Sequence, residues 1–266
     1  MQELLSLEFF QNALLASLLL SIATGIIGSL IAVNRMTFLA GGIAHASYGG
    51  IGMAVFFGLP IFFGTSLFAV FIAIVIAGLS LKNRHDIDSL IGVVWAVGMA
   101  VGIVFVDKTS GYKADLLSYL FGSIMAVTKA DIYYMSAIVV AIMMSVGFWY
   151  RKLLAVSFDM EYAKLLGINT NFFYTLILVL ASLTIVISIK VVGLILVIAL
   201  LSIPTFIAKK LSSSLFGMMV VSTLLSIFFT IAGLFLSYYL DISSGASIIL
   251  TGAFVLVVFL GIVSRK

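Results

Sequence analysis

Apolar residues fall in long runs along this chain rather than in alternation. A helix needs about 20 mostly apolar residues to cross the hydrocarbon core of a bilayer. Runs of that kind occur at 9–33, 37–57, 61–80, 89–106, 131–150, 171–189, 191–208, 214–238 and 246–263. They predict nine spans, or eight if one run is buried in the bundle without crossing; the short separations around Arg35 and Lys190 decide the count. A further apolar piece, LLSYLFGSIMAV at 116–127, is too short to cross and predicts an interfacial or re-entrant segment. The first run is longer than a signal-peptide core and has no clean small-residue cleavage site, so it is expected to be a retained span. Only two prolines punctuate the pattern. Pro60 sits in the turn GLP, and Pro204 lies inside VVGLILVIALLSIPTFIAKKL, where it should kink the helix and free backbone carbonyls.

Composition fits this map. Hydrophobic residues make up 64% of the 266 and charged residues 9%, and the mean hydropathy is +1.33. A soluble domain has about a quarter of its residues charged, so lipid must be the main solvent. The expected fold is all-α: a polytopic integral membrane bundle of eight or nine helices forming a single domain over 1–266. Cysteine is absent, which removes disulfides and thiolate metal sites. The net charge of +4 comes from residues in short loops and forms no stripe for nucleic acid. With the N-terminus outside, inner segments hold ten Lys and Arg (among them Arg35, Lys82, Arg151, Lys152, Lys209 and Lys210) and outer segments four. The positive-inside rule favours this orientation, with the C-terminus cytoplasmic.

The longest inner insert, RKLLAVSFDMEYAKLLGINT at 151–170, mixes an apolar side with Asp159, Glu161 and Lys164. It predicts a short helix at about 157–168 lying along the inner face and stopping at Gly167. Such a helix either packs on its own bundle or docks a partner.

No phosphate-binding loop, zinc-hydrolase motif or serine-hydrolase motif is present. The chain is therefore expected to be a transport component and not an enzyme. Its acids, including Asp86, Asp88, Asp131, Asp159 and Asp241, cluster at span ends. An ion-coupled carrier wants them near mid-membrane, so an outside energy source fits better. The most informative stretch is FLAGGIAHASYGGIGMAVFFGLP, in which His45 stands among glycines. Gly41, Gly42, Gly49 and Gly50 can let helices approach closely, and a neutral imidazole at membrane depth is a ligand for first-row divalent metals. His45 is equally a histidine that is simply hydrogen-bonded to a neighbouring helix. His85, beside Asp86 and Asp88 in an inner loop, is a solvated residue or a transient metal contact.

NRMTFLAGGIAHASYGGIGMA, DSLIGVVWAVGMAVGIV, DLLSYLFGSIMAVTKAD, FDMEYAKLLGI, VVGLILVIALLSIPTFIAKKL and YYLDISSGASIIL, in that order, resemble the signature stretches of one family. These are the membrane subunits of ABC importers for zinc, manganese and iron, the ZnuB/MntB type. The resemblance implies a type II ABC-importer-like permease in a prokaryotic cell membrane, with a second copy of itself, two cytoplasmic ATP-binding subunits and an extracytoplasmic metal-binding protein. It implies no permanently bound cofactor, only a transported divalent metal. His45 takes the place of the family's pathway histidine, and Glu161, Ala163 and Gly167 reproduce the E-x-A-x-x-x-G spacing of its coupling helix. Many members have an aspartate four residues before that histidine, where this chain has Gly41. Losing a carboxylate tilts the expected cargo from manganese toward zinc. A permease for a metal chelate or siderophore, or a secondary carrier without an ATPase, are the alternatives.

Overall fold

The chain's wide apolar runs wind into helices because no water is available to satisfy their backbone groups in lipid. The computed structural model describes residues 7–82, 87–109 and 116–263, and among these there is no strand. The helices are α1 (Glu8–Val33), α2 (Thr37–Ala46), α3 (Tyr48–Phe57), α4 (Ile61–Lys82), α5 (Ile87–Lys108), α6 (Leu116–Phe121), α7 (Lys129–Phe158), α8 (Met160–Leu165), α9 (Thr170–Val192), α10 (Val197–Leu211), α11 (Leu215–Leu240) and α12 (Ser244–Val263), with one 3₁₀ turn at Ile124–Ala126. Among the described residues, eight segments are long and apolar enough to cross a membrane, α2 and α3 counting as one.

The stretch 191–208 is the predicted span that contains no helix long enough to cross by itself. Helix α9 runs through Lys190 and stops at Gly193, whose φ of 92° only glycine adopts readily. The following α10 has 15 residues, about 22 Å at 1.5 Å per residue, which is short of a roughly 30 Å hydrocarbon core. The backbone at this break is clasped by the 116–127 segment: Ser123 N–H donates to the Lys190 carbonyl at 3.1 Å, Leu194 N–H to Tyr119 at 3.1 Å and Ile195 N–H to Leu120 at 3.3 Å. Gly122, with φ 72°, lies against Gly193 so closely that neither tolerates a Cβ. The predicted re-entrant piece is thus a short helix and a 3₁₀ turn whose backbone is satisfied by another non-helical segment.

Lys190 is not a loop residue. It occupies the last turn of α9, 3.7 Å from the Asp131 carboxylate and over the Tyr119 ring at 5.7 Å. Asp131 also closes a capping box at the start of α7, accepting from Thr128 N–H at 2.9 Å while Thr128 Oγ1 accepts from Asp131 N–H at 3.2 Å.

The described residues divide into two compact units, one drawn from within 1–32, 117–139 and 188–266, the other from within 33–116 and 140–187. In the first, α1 packs on α11 through small and hydroxylated residues. A Cβ at Gly25 would strike Thr223. Ser21 and Thr230 hydroxyls meet at 3.0 Å, one donating to the other, while the accepting one donates its own proton to a carbonyl one turn back (Ser17 for Ser21, Ser226 for Thr230). Between apolar faces in lipid, close packing and such hydroxyl bonds supply the adhesion that water would otherwise drive.

In the second unit, α3 ends at Gly58 in the left-handed region (φ 66°), with Leu59 N–H reaching the Ala54 carbonyl at 2.9 Å, and Pro60 follows. The turn joining α1 to α2 has Arg35 at φ 56°, an uncommon conformation for a residue with a Cβ. Beside it, Asn34 Nδ2 donates to Ser157 Oγ at 2.8 Å, near the end of α7. Helix α7 has 30 residues and bends at Trp149 (φ −106°, ψ 16°). It therefore carries Arg151 and Lys152 within the helix, where the sequence pattern had placed an inter-helix insert.

Candidate functional site

Helices α2 and α3 are brought against α5 by glycines on both sides. A Cβ on Gly98 would lie 2.7 Å from Ala46 Cα, one on Gly49 2.7 Å from the Gly98 carbonyl, and one on Gly102 2.5 Å from the Tyr48 carbonyl. Gly52 lies against Gly102, and Gly42 against the Ile91 side chain. These pairs advance together along both segments, so α2–α3 and α5 run parallel. Between them in sequence, α4 runs antiparallel to α3, with Gly50 set against Thr65 and Phe68, and Gly64 against Ala54. The packing role expected of Gly42, Gly49 and Gly50 is present within this unit, and Gly41 is buried. Replacing Gly102 by Leu should cost about 1–3 kcal/mol by overpacking; the expected result is a lower thermal unfolding midpoint in detergent.

His45 lies one residue from that glycine contact and is partly buried. Its Nδ1 is 3.0 Å from the Gly41 carbonyl, one turn back. A carbonyl only accepts, so Nδ1 carries the proton and Nε2 keeps a free lone pair, the arrangement that suits a metal-binding imidazole. The ring stacks on Trp95 of α5, with centroids 3.8 Å apart and planes 28° from parallel. The Trp95 indole N–H in turn donates to Met99 Sδ at 3.1 Å. Gly41 thus provides a backbone oxygen to the histidine at the place where the resemblance has a carboxylate.

Other sequence candidates are not gathered here. Asp88 is exposed in the first turn of α5, seven residues before Trp95, about 10 Å along the helix axis. His85 lies outside the described residues. Among the described residues, no three His, Asp or Glu side chains converge in a way that could hold a metal ion. Pro204 lies within α10, which continues as helix to Leu211; the sharp interruption in that region is at Gly193. Trp95 and Met99 are missed when the segment is read for motifs alone. A signal was available: Ile91, Trp95, Gly98 and Gly102 recur at i, i+4, i+7 and i+11, a stripe on one helical face.

The 151–170 insert forms a second candidate site. The predicted helix of 157–168 is shorter than expected, because α7 continues to Phe158 and α8 covers only Met160–Leu165. Asp159 caps α8, accepting from Tyr162 N–H at 2.9 Å. Its end is a Schellman motif: Gly167, at φ 75°, donates to the Lys164 carbonyl at 2.9 Å and Ile168 donates to Ala163 at 3.1 Å. This is the chain stop expected of Gly167. Ala163 is fully buried and so faces the chain's own interior. Phe158, Tyr162, Leu165 and Leu166 are all exposed, Leu165 at 85%. Glu161 pairs with Lys164 at 2.9 Å on the surface. This short, well-capped helix thus buries its alanine and leaves its large apolar residues exposed.

Comparison with known proteins agrees with this architecture. The model of the ABC 3 transport family matches residues 6–262. The chain is 35% identical over 250 residues to a Chlamydia trachomatis protein named "Probable metal transport system membrane protein", covering 91% of this chain and 85% of that one. It is 32% identical over 251 residues to the manganese transport system membrane protein MntC of Halalkalibacterium halodurans, covering 94% and 86%. The solved structure of PsaBC from Streptococcus pneumoniae in complex with Fab superposes with a TM-score of 0.88 at 30% identity, covering 97% of this chain and 93% of the matched chain. With its helical architecture, its apolar spans and a family match over nearly its whole length, this chain belongs to the ABC 3 transport family of membrane proteins.

Proposed function

We propose that this chain is the membrane permease of an ATP-driven importer of divalent metal ions, with zinc as its cargo. The observation that carries the reading is His45: a histidine in a membrane span, held in one tautomer by the Gly41 carbonyl, with Nε2 left as donor. An ionisable group at such a position is costly unless it does something. Relatives named for metal and manganese transport support the same class. Manganese is the second reading, favoured by the MntC relative. Zinc is preferred because imidazole suits it, whereas manganese seeks carboxylate oxygens that this site does not supply.

Two copies of the chain would enclose the ion route, and an extracytoplasmic binding protein would deliver the metal. Two cytoplasmic ATPases would grip the outward face of α8, each fitting Phe158, Tyr162, Leu165 and Leu166 into a cleft. Basic residues fit an orientation with α8 and the C-terminus inside a prokaryotic cell membrane: Lys82 ends α4, Arg151 and Lys152 lie near the end of α7, and Lys209 and Lys210 end α10. With the N-terminus outside and the C-terminus inside, α10 together with the 191–196 stretch would have to bring the chain back to that side, a ninth passage made without a full-length helix. One weak ligand set suits a conduit, since a tight cage would trap the ion.

The test is uptake by the complex of permease, ATPase and binding protein in vesicles. ATP-dependent accumulation of zinc is expected. ATP hydrolysis stimulated by a metal chelate but not by the bare ion would replace the proposed cargo. Concentrative flux by the permease without ATP would replace the mechanism with that of a secondary carrier.

A further inference from the structure

We propose that Trp95 is the positioning residue of the ion route and that Met99 gives the route a sulfur contact, so that cations are sorted by softness. This rests on the His45 route proposed above and deepens it. The imidazole is fixed by two independent constraints. Its Nδ1–H is tied to the Gly41 carbonyl at 3.0 Å, and its face lies on the Trp95 indole at 3.8 Å. Together they set both the tilt and the plane of the ring, and therefore the direction in which Nε2 offers its lone pair.

Trp95 is itself anchored, by its N–H on Met99 Sδ at 3.1 Å. Spaced at i, i+4, the two residues share one face of α5. One indole thus carries an imidazole on its face and a thioether at its edge. A thioether sulfur has two lone pairs; the indole N–H occupies one and the other remains. The nearest acid on the same helix N-terminal to this point, Asp88, is about 10 Å away along the axis. The contacts seen at the imidazole and its stacking partner are a ring nitrogen, a sulfur and a backbone carbonyl. Borderline ions such as zinc accept nitrogen and sulfur, while manganese prefers carboxylate and water.

The experiment offers zinc and manganese together to the complete transporter in vesicles and reads the ratio of the two taken up. Met99→Leu keeps the volume and removes the sulfur. It is expected to lower the zinc-to-manganese ratio by about tenfold, the scale on which ligand-orienting partners act, with assembly and ATP binding unchanged. Trp95→Leu is expected to lower both the ratio and zinc uptake. Trp95→Phe, which retains an aromatic face, is expected to recover uptake but not the ratio; if Trp95→Leu does not assemble, Trp95→Phe and Met99→Leu still decide the matter. An unchanged ratio in Met99→Leu and Trp95→Phe, with His45→Ala still blocking uptake, overturns this proposal alone. Uptake indifferent to His45→Ala overturns the route reading beneath it.

Discussion

Substituting His45 by Ala is expected to abolish zinc uptake while leaving the bundle assembled. The imidazole makes no hydrogen bond to another helix: its one hydrogen bond goes back to Gly41 in its own helix, and its contact with α5 is the ring stack on Trp95. Loss of even a partner that orients a ligand costs 10–100-fold in metal affinity, so loss of the ligand itself should cut uptake by about a hundredfold or more. Radiolabelled zinc accumulation in vesicles, with size-exclusion chromatography as the assembly control, checks this. Normal uptake would reduce His45 to a packing residue.

The other large effect is expected at α8. Leu165→Glu changes a side chain that is 85% exposed, so the chain's own fold has nothing to lose. If the ATPase covers this surface, a buried, unpaired carboxylate should cost at least about 2 kcal/mol of binding, the threshold of a hot spot, or about 30-fold in affinity. Co-purification of the ATPase with the tagged permease reads the result directly. Undiminished recovery would show that the outward apolar residues of α8 lie elsewhere than at the ATPase. Ala163 is a poor place for this test because it is fully buried, and a larger residue there would disturb the chain itself.

Much of this architecture is legible in the residue pattern because lipid imposes a length rule on apolar runs. The spans of α1, α4, α5, α11 and α12 lie within a few residues of the predicted ones. What the pattern could not supply is tertiary. Lys190 reads as a boundary until Asp131 and Tyr119, far earlier in the chain, are seen to hold it within α9. Gly193 reads as one more apolar-run glycine until Gly122 is found against it. The insert at 151–170 reads as a single helix because its apolar residues belong to two bodies: Leu153 and Val156 are buried at the end of α7, while Leu165 and Leu166 face outward from α8. At the candidate ion site the histidine and glycines stand out in the sequence. The tryptophan does not, since its role depends on a ring from a parallel helix.

The bond between Asn34 and Ser157 has a mechanical consequence. Ser157 is two residues from the cap of α8, and Asn34 is three residues from the start of α2, the helix bearing His45. Arg35, between Asn34 and α2, takes a left-handed conformation that is uncommon for a residue with a Cβ. A displacement of α8 would thus be felt at the foot of the His45 helix through this pair of side chains, with the turn at Arg35 lying on the path between them.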